Sequence, residues 1–435
     1  MSFTIAIVGR PNVGKSTLFN RLIGEKKAII DNISGVTRDR IYGESDWNGK
    51  AFNVIDTGGY VPRSVEVFEK HIREQVKIAM NEASLLLFMV DAASGITGLD
   101  SEFAELLRKQ SKNVFLVVNK VDNIGRMHEA NEFYSMGFEN IFFLSSMTGS
   151  GTGELLDAVA ARIPVVEPNP EDENIPKVCI IGQPNVGKSS LVNSLLGEER
   201  NIVTDIAGTT RDSVHTRFNK FGKEFILIDT AGIRQKAKVQ ENLEFYSVIR
   251  AVNALDESDI AIVVIDATKG ITHQDLSIYK MAIKKHRGII IAVNKWDLME
   301  KTTNTARDYE EALLSKLAPF NDVPIIFISA IEKQRVFKII ELIEKVYVNL
   351  KKKIQTSKLN DIMLKAIEQY SPPATDGKLV KIKYVTQLPT PTPSFAFFTN
   401  HPKYIREAYK NYLENQLRKN FDFNGVPVNI FFREK

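Results

Sequence analysis

Cysteine is almost absent from this sequence: Cys179 is the single one among 435 residues. No disulfide can therefore form within the chain, and the apolar run around Cys179 predicts a buried structural thiol. Long apolar runs are also missing, since a run such as IAIVVID is far shorter than the roughly 18 residues that a membrane span needs. No charged leader precedes the first strand-like segment, so no signal peptide is expected. These absences favour a cytoplasmic protein.

The composition is that of an ordinary globular protein, with 43% hydrophobic and 25% charged residues. Its net charge of +4 is unevenly distributed. Residues 351–435 contain 15 Lys and Arg against 7 Asp and Glu, a net of +8, whereas the rest of the chain carries −4. The basic end either contacts a polyanion or forms a solvated basic surface, and charge by itself does not decide between the two.

Two halves of the chain repeat the same motifs in the same order. IAIVGRPNVGKSTLFN at Ile5–Asn20 recurs as VCIIGQPNVGKSSLVN at Val178–Asn193. The segments SGVTRD, NVIDTGG, VVNKVD and FLSSMTGSG recur as AGTTRD, ILIDTAG, AVNKWD and FISAIEKQR. Collinear matches of this kind indicate a duplicated domain.

Each copy alternates continuous apolar runs with amphipathic segments, which indicates an α/β fold: a mostly parallel sheet with helices on both faces. In the first copy the predicted strands are Thr4–Val8, Phe52–Asp56, Leu85–Asp91, Val114–Asn119 and Ile141–Ser145. After residue 350 the pattern becomes helix, strand, strand, helix, strand, a small α+β domain. The predicted boundaries are 1–163 for the first α/β domain, 164–176 for an acidic Pro-rich linker, 177–350 for the second α/β domain and 351–435 for the α+β domain.

The segments GRPNVGKS and GQPNVGKS both fit the phosphate-loop pattern G-x-x-x-x-G-K-[ST]. Each lies between an apolar strand and a helical segment, so backbone N–H groups and a helix N-terminus can meet phosphate oxygens. The lysine can reach the β and γ phosphates, and the serine hydroxyl can bind Mg²⁺. The predicted nucleotide ligands are Gly9, Asn12, Val13, Gly14, Lys15, Ser16 and Thr17 in the first loop, and Gly182, Asn185, Val186, Gly187, Lys188, Ser189 and Ser190 in the second.

Further phosphate-binding residues follow each loop. The aspartate that ends the next apolar strand can hold Mg²⁺ through water, and the glycine of the D-x-x-G segment can donate its backbone N–H to the γ-phosphate. A threonine in a polar loop can complete the metal shell. The predicted Mg²⁺ ligands are Ser16, Thr37, Asp56, Ser189, Thr210 and Asp229. The predicted catalytic residues are Lys15, Thr37, Gly59, Lys188, Thr210 and Gly232, with Asp56, Gly59, Asp229 and Gly232 also counted as nucleotide ligands.

The segments NKVD and NKWD predict that the base is guanine. Their carboxylates, Asp122 and Asp297, can accept hydrogen bonds from guanine N1–H and from its exocyclic amine. Adenine offers neither donor and would leave a buried acceptor unpaired, at a cost of about 1–3 kcal/mol. The asparagine can bond the purine edge or tether the phosphate loop, and the lysine stem can lie on the ring face. The remaining predicted base ligands are Asn119, Lys120, Asn294 and Lys295, with backbone N–H groups near Ser146 and Ala330 facing the guanine oxygen.

In this order the motifs resemble those of translation-factor-class GTPases. Two copies followed by a basic α+β domain resemble the bacterial ribosome-assembly GTPase family EngA, also called Der, over essentially the whole chain. The resemblance implies two tandem P-loop GTPase domains and a KH-like C-terminal domain, carried by YKNYLENQLRKNF. It also implies a GTP-hydrolysing switch in ribosome biogenesis that uses GTP/GDP and Mg²⁺ and contacts the large ribosomal subunit and rRNA. A monomer is expected, with neither a membrane nor DNA as partner.

The residue after the D-x-x-G glycine departs from many small GTPases, where it is a glutamine that orients the attacking water. Here it is Tyr60 in one copy and Ile233 in the other. Related GTPases with an apolar residue at this position use a K⁺ ion held partly by the phosphate-loop asparagine, which matches Asn12 and Asn185. Asparagine is also a turn former, so both interpretations of these two residues stay open.

Two segments lack glycines that related proteins use. SAIEKQRVF lacks the glycines of SSMTGSGTG, so a less well-formed guanine-side backbone is expected in the second copy. KH domains that grip single-stranded RNA use a G-x-x-G loop, but only Gly377 and Gly425 occur after residue 350. RNA recognition by that route is therefore not expected. The KH-like domain is instead expected to pack on a GTPase domain and to contact rRNA phosphates through Lys and Arg.

Two other functions compete with a hydrolysing ribosome-assembly switch. Tyr60 and Ile233 are also consistent with a non-hydrolysing, nucleotide-gated scaffold for RNA–protein assembly. A membrane-remodelling GTPase is disfavoured because the sequence has no apolar anchor or lipidation motif.

Overall fold

The computed structural model of the chain describes residues 3–24, 41–56, 83–110, 113–164, 174–196, 215–228, 251–374 and 378–434. These residues divide into two compact units. One unit contains the first α/β domain, and the other contains the second α/β domain together with the α+β domain. No helix within these ranges has the length and apolar character required to cross a membrane.

The first α/β domain is built on a six-stranded sheet in the order β2-β3-β1-β4-β5-β6. Its strands are β1 Thr4–Val8, β2 Ile41–Trp47, β3 Lys50–Asp56, β4 Leu85–Asp91, β5 Val114–Asn119 and β6 Ile141–Phe143. Neighbouring strands are parallel except β2 and β3, which form an antiparallel edge hairpin. The helices are α1 Lys15–Ile23, α2 Gly98–Gln110, α3 Ile124–Glu129 and α4 Thr152–Arg162, with a 3-10 helix at Ala130–Met136.

Apolar patterning accounts for the central strands of this sheet. All seven residues of β4, LLLFMVD, are buried, as expected for a central parallel strand covered on both faces. The predicted bounds of β1, β4 and β5 agree with the structure, whereas β3 begins earlier than predicted and β6 ends earlier. The edge strand β2, IYGESDW, was not predicted because its polar sequence lacks the apolar run of a central strand.

The second α/β domain repeats this architecture in the order β12-β11-β10-β7-β9-β8, again with one antiparallel edge pair, β8 and β9. Its strands are β7 Lys177–Gly182, β8 Thr216–Lys220, β9 Lys223–Ile228, β10 Ile260–Asp266, β11 Gly288–Asn294 and β12 Ile325–Phe327. Its helices are α5 Lys188–Leu196, α6 His273–Lys284, α7 Thr305–Leu317 and α8 Lys338–Leu350, with a 3-10 helix at Trp296–Leu298. Cys179 is buried in β7, as predicted.

The C-terminal α+β domain follows the predicted order of helix, strand, strand, helix and strand. Its elements are α9 Thr356–Gln369, β13 Ile382–Gln387, β14 Ser394–Thr399, a 3-10 helix at Pro402–Tyr404, α10 Glu407–Asn420 and β15 Asn429–Glu434. The sheet order is β13-β14-β15, antiparallel in the first pair and parallel in the second. Side chains from both helices and one face of the sheet form a separate hydrophobic core.

The turn between α10 and β15 attaches this domain to the second α/β domain. The backbone N–H of Ile289 donates to Gly425 O at 2.7 Å, and the N–H of Gly425 donates to Asp322 O at 2.8 Å. Gly425 has a φ of 79°, and a Cβ there would lie 2.7 Å from the Val346 side chain. Val426 is fully buried in the core of the second α/β domain. The turn therefore extends that core into the C-terminal domain.

Arg418 on α10 makes further contacts between the C-terminal domain and the second α/β domain. Its Nη1 lies 3.2 Å from Asp322 Oδ2, and its Nη2 lies 2.9 Å from Glu414 Oε1. The guanidinium also lies 4.7 Å from the ring centre of Phe320. Because the Arg418 side chain is largely buried, this cluster combines charge pairing with cation–π contact where solvent screens little.

Candidate functional site

The two phosphate loops have the same backbone. A Cβ on Gly14 would lie 2.3 Å from Asn119 Nδ2, and a Cβ on Gly187 would lie 2.2 Å from Asn294 Nδ2, so only glycine fits at either position. Helix α1 begins directly after Gly14 without a side-chain cap. Its first-turn N–H groups can therefore serve an anion. The loop residues with positive φ are Gly9 at 149°, Asn12 at 65° and Gly14 at 103°, matched by Gly182 at 151°, Asn185 at 63° and Gly187 at 96°.

The phosphate-loop lysine lies over its own loop in both copies. Lys15 Nζ donates to Gly9 O at 2.9 Å and to Arg10 O at 2.7 Å. Lys188 Nζ makes the corresponding bond to Gly182 O at 2.8 Å. Burial lowers the pKa of Lys15 to about 8, against an opposing effect of Asp56. A phosphate group beside Nζ would favour the charged form and raise the pKa again.

Ser16 and Asp56 form the hydroxyl–carboxylate pair that the sequence predicts as a Mg²⁺ site. Ser16 Oγ donates to Asp56 Oδ2 at 2.6 Å, and Asp56 is 1% exposed at the end of β3. Both oxygens are hard ligands that suit Mg²⁺, so the donor set of the first copy fits the metal. In the second copy Ser189 lies at the matching position at the start of α5. Thr37, Gly59, Tyr60, Thr210, Asp229, Gly232 and Ile233 lie outside the described residues.

Of the two interpretations of the N-K-x-D asparagine, the structure favours a tether for the phosphate loop. Asn119 Nδ2 donates to Val13 O at 2.7 Å, and its Oδ1 accepts from the Ser146 N–H at 2.8 Å. The second copy repeats both bonds: Asn294 Nδ2 donates to Val186 O at 2.8 Å, and Oδ1 accepts from the Ala330 N–H at 2.9 Å. One buried amide thus joins the phosphate loop to the loop after the last strand in each domain. The contact of Ser146 and Ala330 with guanine stays a prediction.

The N-K-x-D lysines are fixed by aspartates that motif analysis missed. Lys120 Nζ lies 2.6 Å from Asp91 Oδ2, and Lys295 Nζ lies 2.6 Å from Asp266 Oδ2. Both lysines adopt left-handed backbone, with φ of 67° and 62°. Asp91 and Asp266 end β4 and β10, and the repeat of MVDAASG as VIDATKG is a signal that could have identified them.

The aspartates that the sequence predicts as base ligands differ in their surroundings between the copies. Asp122 Oδ2 accepts from Arg126 Nη1 at 2.8 Å, one helical turn further along the chain. Asp297 lies half-buried in the short helix Trp296–Leu298. A half-exposed ion pair such as Asp122–Arg126 contributes little to stability. Asp122 can therefore exchange Arg126 for a ligand at low cost.

The loops after β6 and β12 close in the same way. Ser145 N–H donates to Ser150 O at 2.9 Å, and Ser329 exchanges bonds of 3.3 and 3.0 Å with Gln334. Gly149 and Gly151 in the first loop have φ of 91° and 74°, and Lys333 and Arg335 in the second have φ of 55° and 58°. The expectation of a less well-formed backbone in the second copy was therefore wrong: non-glycine residues adopt the left-handed conformation, at a cost of roughly 1–2 kcal/mol each.

An arginine that the motif search missed clamps the first of these loops. Arg21 on α1 donates from Nε to Ser146 O at 2.6 Å and from Nη2 to Met147 O. The aligned residue in the second copy is Ser194, which is too short to make these bonds. Within the described part of the chain, the buried Ser194 Oγ has no hydrogen-bond partner. Only an alignment of the two copies combined with the structure reveals this difference.

A duplicated phosphate loop, a hydroxyl–carboxylate pair and an asparagine tether on parallel sheets define a tandem P-loop GTPase. Comparison with known proteins gives the family. The family model described as "50S ribosome-binding GTPase" matches residues 4–120 and 177–295. The model described as "KH-domain-like of EngA bacterial GTPase enzymes, C-terminal" matches residues 353–433.

Curated relatives match the chain from end to end. GTPase Der of Christiangramia forsetii is 57% identical over 435 residues, which is 100% of both chains. GTPase Der of Flavobacterium johnsoniae is 57% identical over 432 residues, 99% of both chains, and that of Porphyromonas gingivalis is 51% identical over 437 residues, 100% of both. The chain belongs to the Der (EngA) family and is a GTPase that binds guanine nucleotides. The predicted fold class is confirmed, and the non-hydrolysing scaffold is set aside.

Proposed function

We propose that this GTPase is a switch in ribosome biogenesis that associates with the large ribosomal subunit, acting as a monomer in the cytoplasm. The observation that carries the proposal is the match of both GTPase domains to a family described as 50S ribosome-binding. The net charge of +8 in residues 351–435 supports it, because rRNA presents a dense array of phosphates.

The first phosphate site is built to hold a nucleotide with Mg²⁺. Ser16 and Asp56 would hold the ion, directly or through water, and a bound Mg²⁺ neutralises charge on the β and γ phosphates. Lys15 is buried and already positioned over the loop, so phosphate can replace the Gly9 and Arg10 carbonyls as its partner. Exchanging carbonyl oxygens for phosphate oxygens converts neutral hydrogen bonds into charge-assisted ones. Thr37 and Gly59, and their counterparts Thr210 and Gly232, are proposed to complete the two sites.

The base end is proposed to select guanine through Asp122 and Asp297. In both domains the asparagine tether fixes the phosphate loop relative to the loop after the last strand. A purine held between these loops is therefore positioned relative to its own phosphates. The stems of Lys120 and Lys295, fixed by Asp91 and Asp266, are proposed to lie against the ring.

Potassium is proposed to assist hydrolysis through Asn12 or Asn185. Both asparagines are exposed and left-handed, a geometry that also suits a simple turn residue. Phosphate release in K⁺ and in Na⁺ at equal ionic strength distinguishes the two roles. A K⁺-dependent rate that disappears in Asn12→Ala or Asn185→Ala supports a ligand, and equal rates in both salts support a turn residue.

The C-terminal domain is proposed to bind rRNA as one body with the second GTPase domain. The supporting observations are the backbone bonds of Gly425, the burial of Val426 and the Arg418 cluster. Because the attachment is made by backbone and core contacts, the two domains are expected to reorient together when the nucleotide changes.

Co-sedimentation with purified large subunits tests the proposal. Full-length protein should pellet with large subunits in a non-hydrolysable GTP analogue and much less in GDP. A chain truncated after Leu350 should keep guanine nucleotide binding at the first site, which lies in the other compact unit, but lose most subunit binding, with a shallower dependence on salt. Equal pelleting in GDP and in the analogue, or equal pelleting of the truncated chain, would contradict the proposal.

A further inference from the structure

One face of the C-terminal sheet is not covered by the helices of its domain. Helices α9 and α10 pack on the other face, where the core contains Val385, Phe395, Phe397 and Ile430. Side chains alternate between the two faces along a strand, so the residues next to these point away from the core. The outward strand residues are Tyr384, Thr386, Ser394, Ala396, Phe398, Asn429, Phe431 and Arg433.

Aromatic rings form part of this outward face. Tyr384 on the edge strand β13 is 41% exposed, and Phe431 on the opposite edge strand β15 is 46% exposed, which are large exposed fractions for aromatic side chains. Tyr384 lies opposite Phe398 across β13 and β14, with ring centres 5.8 Å apart. Phe431 lies opposite Ala396, whose short side chain leaves the ring uncovered. The result is a platform of rings with accessible faces.

Basic side chains flank the rings. Arg433 lies opposite Phe398 on the neighbouring strand. An irregularity between Ile382 and Tyr384 adds Lys383 to β13, where it is exposed next to Tyr384. In the part of the chain that the structure describes, the outward strand positions carry no Asp or Glu; Glu434 belongs to the other face by alternation. The positive charge of this face therefore suits contact with phosphate groups.

The usual RNA grip of a KH domain is unavailable here. Of the two glycines after residue 350, Gly425 is committed to the attachment on the second GTPase domain through its bonds to Ile289 and Asp322. A backbone clamp of the G-x-x-G kind therefore cannot form around it. Rings with free faces beside cationic side chains offer a different route, because bases stack on aromatic side chains while Lys and Arg contact the backbone.

We propose that the outward face of the sheet β13-β14-β15 binds unpaired RNA, with bases stacked on Tyr384 and Phe431 and phosphates near Lys383 and Arg433. The inference rests on the proposed association with rRNA and specifies which surface and which form of RNA are involved. Bases in duplex regions are already stacked and paired, so only loops, bulges and single strands can use the rings. The sequence read-out is weak, because every base has a face that can stack.

The test measures binding of full-length protein to a short single-stranded RNA by fluorescence anisotropy, with a duplex RNA of equal length as comparison. Tyr384→Ala and Phe431→Ala should each weaken single-strand binding about 5- to 150-fold. Phe431→Leu, which keeps apolar bulk without a ring, should lose comparable affinity, and Phe431→Tyr should retain it. The matched control is Phe221→Ala, which removes a ring that is 72% exposed in the second GTPase domain and should leave binding unchanged.

The charged residues give an independent readout. Lys383→Gln and Arg433→Gln should each reduce the log–log salt slope of single-strand binding by about 0.7, whereas the ring variants should leave the slope unchanged. Basal GTP hydrolysis without RNA should not change in any of these variants, since none of the residues belongs to a nucleotide site.

Several results would overturn the inference. Duplex RNA binding as tightly as the single strand would mean phosphate contact without stacking. Full affinity in Phe431→Leu would remove the need for a ring. Self-association that Phe431→Ala abolishes would make the face an interface between copies. If the ring variants still pellet with large subunits like the unsubstituted chain, the sheet-face inference fails while the proposed function stands; if the unsubstituted chain does not pellet, the proposed function fails.

Discussion

The two phosphate loops share a backbone but are tied to their domains by different chemistry. In the first domain, Arg10 extends from the loop to Asp100, which is fully buried at the start of α2, with Nε and Oδ2 3.2 Å apart. In the second, the aligned Gln183 is uncharged and hydrogen-bonds Thr272 and the Asp275 carboxylate at the start of α6. An ion pair in one copy is therefore replaced by hydrogen bonds of an uncharged side chain in the other.

The loops on the base side of the two domains also differ in the residues that support them. The first uses glycines at its left-handed positions and is clamped by Arg21, while the second uses Lys333 and Arg335 and has Ser194 in place of the clamp. The hydrogen bonds that join loop to loop are nevertheless the same. A duplicated site can thus retain its bonding frame while its supporting residues diverge, so the two sites can differ in nucleotide affinity with the same chemistry.

The largest effect on nucleotide affinity is expected from substitution of the aspartates proposed to select the base, and the effect should be the same at both sites. Asp122→Asn and Asp297→Asn each remove a charged acceptor for guanine, which should weaken guanine nucleotide binding at that site by about 3 kcal/mol, roughly 10²-fold. Xanthine nucleotides should bind better in the variants, because the xanthine ring carbonyl pairs with an amide N–H.

Titration with fluorescent guanine and xanthine nucleotides measures this change site by site, because each variant leaves the other site intact. If Asp297→Asn leaves guanine affinity at the second site unchanged, the assignment of the base-reading carboxylate is wrong there.

Substitution at the left-handed positions should separate the two base-side loops. Gly151→Ala places a Cβ 2.2 Å from Phe143 O at a φ of 74°, and it should destabilise the first loop by about 2 kcal/mol or more. Arg335→Ala changes an exposed side chain at the aligned position and should cost less than about 0.5 kcal/mol. Hydrogen exchange of the two loop peptides measures the local opening free energy of each. Equal effects in both loops would contradict the comparison.

The arginine clamp should give a smaller, one-sided effect. Arg21→Ala removes two charge-assisted bonds to the Ser146 and Met147 carbonyls, and because these are partly exposed the loss in guanine nucleotide affinity at the first site should be about 1 kcal/mol. Ser194→Ala is the matched control and should leave the second site unchanged. A loss at the second site, or none at the first, would show that the clamp does not support base binding.

The contact of the uncharged Gln183 with Asp275 should affect how the stability of the second domain depends on pH. Burial raises the pKa of Asp275 in α6, against hydrogen bonds from Thr272 and Gln183 that lower it. A raised folded-state pKa means that the folded state binds more protons, so stability falls as pH rises from the unfolded value, about 4, through the folded value. Gln183→Arg places a cation beside the carboxylate, which should lower the pKa of Asp275 and flatten this fall.

Stability of the second domain measured between pH 4 and pH 7 by hydrogen exchange tests this smallest effect, with NMR titration of the Asp275 carboxyl as a direct readout. An unchanged Asp275 pKa in Gln183→Arg would show that an arginine at residue 183 does not pair with the carboxylate.

The features that the sequence predicted are those that depend on local pattern. Fixed spacing identified Lys15, Ser16, Asn119 and their copies, and continuous apolar runs located the central strands. The missing features depend on contacts between distant segments. Arg21 reaches the loop at Ser146, 125 residues away, and Arg418 reaches Asp322, 96 residues away. No periodicity in the sequence encodes such pairings. The conformation of Lys333 and Arg335 was missed because propensity assigns left-handed backbone to glycine, while here the closing bonds of the loop impose it.

The stoichiometry of guanine nucleotide binding tests the duplicated-site interpretation most directly. Calorimetric titration of the full-length chain with a non-hydrolysable GTP analogue and Mg²⁺ should give two nucleotides per chain, and Asp122→Asn and Asp297→Asn should each reduce this to one at concentrations that saturate the intact site. One nucleotide per unsubstituted chain, abolished by only one of the two substitutions, would contradict the proposal that both copies bind guanine nucleotides.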